Sequence, residues 1–188
     1  MGRISHPLLI GSTATHYWFS EFRKKDVDCY ATIRDLIVLK RNQIDVQLAT
    51  RANGLVPICQ LPVTHEITIH SMKLNVASPE ILLMIKRIHL EFTDKWLKNI
   101  EDYIFLASKN IHPSEELINV FEQRYNFLMK NRTKLIKSNN NSTLNDDKYK
   151  LSDSVENCDI RPIEAAKFLC DKANVNLLPI GFHKSSAH

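Results

Sequence analysis

Asp26 and Asp28 flank a single apolar residue in the string Asp26-Val27-Asp28-Cys29. On a β-strand, side chains two apart share a face. The two carboxylates therefore point one way, and Val27 and Cys29 point into a core. Two carboxylates side by side are a hard-oxygen site for Mg²⁺ or Mn²⁺. Upstream, after a gap of thirteen residues, stands Leu9-Ile10-Gly11-Ser12. Leu8 to Ile10 reads as a short buried strand, Gly11 allows a tight exit, and Ser12 can cap a helix running through Thr13 to Phe19. Such a helix start presents free backbone N–H groups and a hydroxyl to an anion. Arg23-Lys24-Lys25 brings positive charge to the chain just ahead of the carboxylates. The combination reads as a phosphate-binding turn feeding a metal-binding carboxylate pair. An Asp-x-Asp on a solvated strand face is the plainer alternative.

The elements around these residues suggest an α+β protein: a small mixed β-sheet with flanking helices, followed by a helical C-terminal half. Thr32 to Arg41 has a helix-like spacing of apolar residues. Gln43 to Leu48 and Thr64 to His70 read as strands, with Asn53-Gly54 and Pro57 marking turns between them. Ser78-Pro79-Glu80 is a helix start with a capping hydroxyl, a proline in the first turn and an early acid. That helix runs to about Leu90 and breaks near Thr93-Asp94. Further helices are expected from Lys95 to about Ser108, from Pro113 to about Lys137, and over Asp159 to Cys170. Residues 138 to 150 are a polar, asparagine-rich stretch suited to a flexible linker. The expected organisation is a core over 1–77, a helical region over 78–137, the linker over 138–150 and a helical tail over 151–188.

Hydrophobic-Gly-Ser, a spacer and Asp-hydrophobic-Asp-hydrophobic together resemble the signature of the nucleotidyltransferase superfamily that includes DNA polymerase beta. Lys86 and His89, then Trp96, Lys98 and Asp102, are similar to an arrangement in nucleotidyltransferase-like proteins of bacteria and large DNA phages. The resemblance covers roughly residues 7 to 132, and Phe121, Arg124 and Arg132-Thr133 carry it more weakly. It implies a third metal-binding acid on a later strand. Glu66, in His65-Glu66-Ile67-Thr68-Ile69, is the first choice on strand quality, and Asp45 is the alternative. It also implies that Gly11, Ser12, Arg23, Lys24, Lys25, Lys86 and His89 bind phosphate. The chain departs from many small members in having Thr13-Ala14-Thr15-His16 where an arginine would follow the Gly-Ser turn.

Composition bounds the alternatives. The 188 residues carry 25 Lys and Arg against 21 Asp and Glu, a formal net charge of +4. Part of the excess lies in Lys130 to Lys137, which suits either a polyanion or a solvated helix end. A hydrophobic content of 44% is ordinary for a globular protein. No apolar run approaches the roughly 20 residues that span a bilayer, so no membrane partner is expected. The N-terminus lacks a signal-peptide core, which leads to the expectation of a cytoplasmic protein, in the host cytoplasm if phage-encoded. Cys29, Cys59, Cys158 and Cys170 show no C-x-x-C spacing and read as reduced thiols. The histidines show no recognised zinc spacing.

The leading expectation is transfer of a nucleoside monophosphate from a nucleoside triphosphate to a hydroxyl acceptor. A second keeps the carboxylates but activates water, as in a phage protein that nicks DNA or processes abasic sites beside a host DNA-repair protein. A third is a non-catalytic binding module on the same fold. The candidate partners are a nucleoside triphosphate and, with it, nucleic acid or a host DNA-repair protein.

Overall fold

The computed structural model describes residues 6–92, 95–131 and 162–180. Five strands form one mixed sheet: β1 (Leu8–Ile10), β2 (Asp28–Ala31), β3 (Asp45–Leu48), β4 (Glu66–Ile69) and β5 (Met72–Val76), in the order β3-β2-β1-β5-β4. β1 is antiparallel to β2 and parallel to β5, β2 is parallel to β3, and β4 is antiparallel to β5. The helices are α1 (Gly11–Trp18), α2 (Ile33–Arg41), α3 (Leu55–Cys59), α4 (Pro79–His89), α5 (Trp96–Ala107), α6 (Glu115–Lys130) and α7 (Pro162–Lys172). The fold is α+β, with a small mixed sheet, flanking helices and a helical C-terminal part, as its sequence pattern implies.

Burial follows strand position. β1, in the centre, is the continuous apolar run Leu8-Leu9-Ile10 and is buried throughout. The edge strands β3 and β4 alternate exposed and half-buried residues, the pattern of a sheet margin with one wetted face. By contacts the chain divides into two compact units, Met1–Leu82 with Pro113–Arg124, and Leu83–His112 with Tyr125–His188. The first holds the whole sheet around Leu8, Leu9, Tyr30, Leu39 and Leu74. In the second, α4, α5 and α7 contribute Leu83, Ile88, Tyr103 and Cys170 to the buried set. There, Tyr103 Oη donates to the Asn176 carbonyl and accepts from the Leu178 N–H, at 2.8 and 2.9 Å, fixing the segment after α7.

Four local expectations change. β5 was not legible as a strand. It pairs with β4 through His70-Ser71, both at positive φ (48° and 64°). That is the backbone of a tight hairpin, normally written Asn-Gly or Asp-Gly. Residues 55–59 form the short helix α3, and Pro57 fits because it lies in the first turn, where its missing N–H has no helical partner. α2 turns Leu39 inward and leaves Ile33, Ile37 and Val38 exposed, the reverse of what their apolar spacing suggests. Ser12 lies inside α1 rather than capping it. The capping position belongs to Ile10, which makes no side-chain cap bond. The Ser78 start of α4 is present, with Ser78 Oγ accepting from the Ile81 N–H at 3.4 Å. The break at Thr93-Asp94, the linker over 138–150 and the tail outside 162–180 lie outside the described residues.

Candidate functional site

The end of the sheet where β1 finishes and β2 begins gathers most of the residues that could do chemistry. Ile10 is paired with Asp28, so Gly11, at the first position of α1, lies against the Asp28 side chain. Gly11 has φ +66°, and a Cβ there would overlap the Asp28 carboxylate and come 3.2 Å from its Cγ. Backbone conformation therefore favours glycine here, and the missing Cβ lets the Asp28 carboxylate lie against the helix start. On the other side of β2, Asp28 is in parallel register with Asp45 at the start of β3. Paired residues on neighbouring strands lie about 4.8 Å apart. Asp28 and Asp45 line one open depression together with Ile10, Val46 and Gln47.

Buried hydroxyls from α1 hold the approach to β2 in place. Ser12 Oγ accepts from the backbone N–H groups of Lys25 and Asp26, at 3.0 and 3.2 Å. Thr13 Oγ1 donates to the Asp26 carbonyl at 2.7 Å. Ser12 is 9% exposed, so its hydroxyl serves the chain rather than presenting itself to an anion. α1 thus fastens the segment that leads into β2, but the expected pair of carboxylates on one strand is not formed: β2 begins at Asp28, and Asp26 precedes it, outside the ladder. The Asp26 side chain is exposed just ahead of β2, and Arg23, Lys24 and Lys25 are exposed beside it.

Glu66 is not brought to this group. It starts β4, three strand spacings or ~14 Å from β2, and is ion-paired with Lys73 at 3.2 Å, with His6 Nε2 3.3 Å from its other oxygen. Strand quality pointed to β4, but β3 is the strand beside β2, so the alternative acid, Asp45, is the one in register. Lys86 and His89 lie on α4 in the second unit. Lys86 Nζ is 2.6 Å from Asp102 Oδ2, with both side chains 15% exposed, and also donates to Asn99 Oδ1 at 3.3 Å. Lys86 therefore joins α4 to α5.

Burial pushes the Cys29 thiol up to about 12, with the neighbouring Asp28 charge and Cys59 adding to the effect, and raises Cys59 to about 12 as well. Both are protonated, structural thiols at neutral pH. Cys29, Cys59 and Cys170 are free and buried. Burial lowers the Arg124 pKa, with Tyr30 opposing the shift, and Arg124 donates to the Asn53 carbonyl at 2.9 Å. Among the described residues, no group of three or more His, Cys, Asp or Glu is placed to hold a metal ion, and no helix is long and apolar enough to cross a membrane.

One cluster was missed in the sequence. Tyr17 and Trp18 end α1, and both meet His65 at the entrance to β4. Tyr17 Oη and His65 Nδ1 are hydrogen-bonded at 3.0 Å, and the Trp18 and His65 rings are 4.5 Å apart, edge to face. Trp18 Nε1 donates to the Ala77 carbonyl at 2.8 Å. The available signal was an aromatic pair followed closely by Arg23-Lys24-Lys25. Compared with known proteins, the chain matches no family model, no curated protein and no solved structure.

Proposed function

We propose that the protein is a metal-dependent nucleotidyltransferase, moving a nucleoside monophosphate from a nucleoside triphosphate to a hydroxyl. The observation that carries this reading is the junction of Gly11, Asp28 and Asp45: a glycine-only helix start against one carboxylate, with a second carboxylate in register beside it. The donor set fits Mg²⁺ or Mn²⁺. Both side chains offer hard oxygens, and Mg²⁺ is commonly held by one or two carboxylates with substrate phosphates completing its shell. Asp28 and Asp45 would hold the ion, with Asp26 at the rim. When bound, the ion supplies charge that draws the phosphates in and stabilises negative charge developing on them.

The chain's own residues supply position and electrostatics, which dominate catalysis of phosphoryl transfer. The missing side chain at Gly11 lets the Asp28 carboxylate lie directly against the start of α1. Ser12 and Thr13 fix the Lys25–Asp26 backbone against α1, just ahead of Asp28. Arg23, Lys24 and Lys25 offset phosphate charge from the exposed side. An Asp45 carboxylate oxygen, on the open margin of the sheet, takes the proton of the attacking hydroxyl. The hydroxyl oxygen bonds to the α-phosphorus, and the bond to the bridging oxygen breaks, with pyrophosphate leaving on its electron pair.

The test is Mn²⁺-dependent transfer of label from each α-³²P nucleoside triphosphate to oligonucleotide, protein and small-molecule acceptors. Wild type should transfer label, and Asp28→Ala should lose at least a hundredfold in rate while keeping its melting temperature within a few degrees. Asp45→Asn should fall similarly, and Glu66→Gln should stay near wild type. Transfer that persists in Asp28→Ala, or no transfer with any nucleotide, would overturn the assignment.

A further inference from the structure

The carboxylate end of the sheet extends beyond the depression, and what lies along it bears on the acceptor. Val76 of β5 pairs with Leu9, and its N–H donates to the His65 carbonyl at 2.9 Å. His65 therefore stands at the same end of the sheet as Ile10, Asp28 and Asp45, displaced toward the β4 margin. α1 spans that displacement. It begins at Gly11 beside Asp28 and ends with Trp18 bonded to the Ala77 carbonyl just past β5. The chain then returns through 19–22, closed by His16 Nδ1 against the Phe22 carbonyl at 2.7 Å, into Arg23-Lys24-Lys25 and so to Asp26. An aromatic shelf, three exposed cations and the carboxylates thus share one end of one sheet.

The shelf is built to hold a ring in place. Tyr17 is 42% exposed, yet its hydroxyl is tied to His65 and its ring sits edge-on to Trp18 at 5.3 Å. An exposed aromatic held at its polar tip loses little further freedom when a flat ligand stacks on it. Glu66, the carboxylate next to His65 in the chain, is ion-paired with Lys73, so its negative charge is partly offset toward a polyanion. Aromatic platforms interleaved with a cationic track are how single-stranded nucleic acid is bound without base-specific readout. The rise of α1 from Gly11, beside Asp28, to Tyr17 is ~9 Å over six residues, about three nucleotide steps at the ~3.4 Å rise of a stacked strand.

We propose that the acceptor is a single-stranded nucleic acid, with a base stacked on Tyr17 and phosphates following Arg23, Lys24 and Lys25, so that its terminal hydroxyl reaches Asp28 and Asp45. This rests on the nucleotidyltransferase reading for the role of the strand, and the binding itself can be measured without turnover. The probes are fluorescein-labelled 12-mers of deoxythymidine and of uridine, and a 12-base-pair duplex, titrated by anisotropy with EDTA present. At least one single strand should bind at least tenfold tighter than the duplex. Tyr17→Ala should weaken it about tenfold, and Tyr17→Phe, which keeps the ring, should retain most of the affinity. Lys24→Gln/Lys25→Gln should flatten the salt dependence by ~0.7 in log–log slope for each phosphate no longer neutralised. All variants are checked by circular dichroism and thermal melting.

No binding of either single strand, equal binding of the duplex, or an unchanged affinity in a folded Tyr17→Ala would overturn the proposal. The two readings fail separately. Label transfer to a small molecule or protein without oligonucleotide binding removes this acceptor and leaves the transferase. Tyr17-dependent oligonucleotide binding without label transfer removes the reaction and leaves the nucleic-acid site.

Discussion

Gly11 and Gly54 both occupy the left-handed region, at φ +66° and +71°, but a side chain would meet different obstacles at the two. At Gly11 it would meet the Asp28 carboxylate, the end of a side chain that can rotate aside. At Gly54 it would meet the Arg124 backbone, at 2.8 Å from Cα and 2.9 Å from N, which cannot move without shifting α6. Gly11→Ala should therefore cost about 1–2 kcal/mol, the conformational penalty, while displacing Asp28 and lowering label transfer well beyond that stability loss. Gly54→Ala should cost about 3 kcal/mol or more, the upper end for a strained position, with activity falling only as the folded fraction falls. Urea titration beside the transfer assay separates the two patterns. Equal effects of both substitutions on activity per folded molecule would contradict the placement of Gly11 at the site.

At the scale of elements, Lys86 shows how a residue with a plausible phosphate role can be committed elsewhere. Its ammonium is held between α4 and α5 by Asp102 and Asn99 in a mostly buried setting. Removing one member of such a pair leaves the other charge without its counterion, whereas replacing both with apolar groups of similar size can be close to neutral. Lys86→Met and Asp102→Leu should each destabilise by about 2–3 kcal/mol, toward the low end for buried pairs because both keep some exposure. The double variant should recover most of that loss. A phosphate-binding lysine would behave differently: Lys86→Met would leave stability nearly unchanged and raise KM for the nucleotide. Chemical denaturation of the three variants, with KM measured alongside, distinguishes these outcomes.

Across the molecule, buried thiols give stability a defined pH dependence. Cys29 and Cys59 are raised from 9.0 to about 12 and Cys170 to about 11, in each case chiefly by burial. In the unfolded chain these thiols lose their protons near pH 9, while in the folded protein they retain them to higher pH. The unfolded state thus binds fewer protons in that window, and linkage requires stability to fall as pH rises. Their contribution is fully present below about pH 9 and is lost between pH 9 and 12. The urea midpoint should be insensitive to these thiols from pH 7 to 8.5 and fall above pH 9, with a shallower alkaline slope in Cys29→Ala. An alkaline slope unchanged by that substitution would remove Cys29 from the account. The same burial makes these thiols slow to react with a disulfide reagent in the native state.

Local chemistry was enough for much of the chain. Leu8-Leu9-Ile10 forms a central strand because nothing but burial suits three consecutive aliphatic residues, and Ser78-Pro79 opens α4 because hydroxyl and proline each satisfy a helix start. The mixed α+β architecture followed from such segments, whereas the expected strand through both Asp26 and Asp28 starts only at Asp28. Strand order did not follow, because it depends on pairing between residues far apart in the chain. The hairpin at His70-Ser71 was illegible, since it lacks the Asn-Gly or Asp-Gly pair that normally marks such a turn, and without β5 the position of β4 could not be deduced. Strand quality favoured Glu66 over Asp45, but β4 lies at the far margin and β3 brings Asp45 into register. The pairing of Lys86 with Asp102 and the meeting of Tyr17 and Trp18 with His65 are likewise tertiary. Residue types supplied carboxylates, cations and aromatics, and only the sheet's hydrogen-bonded order decided which of them share an end.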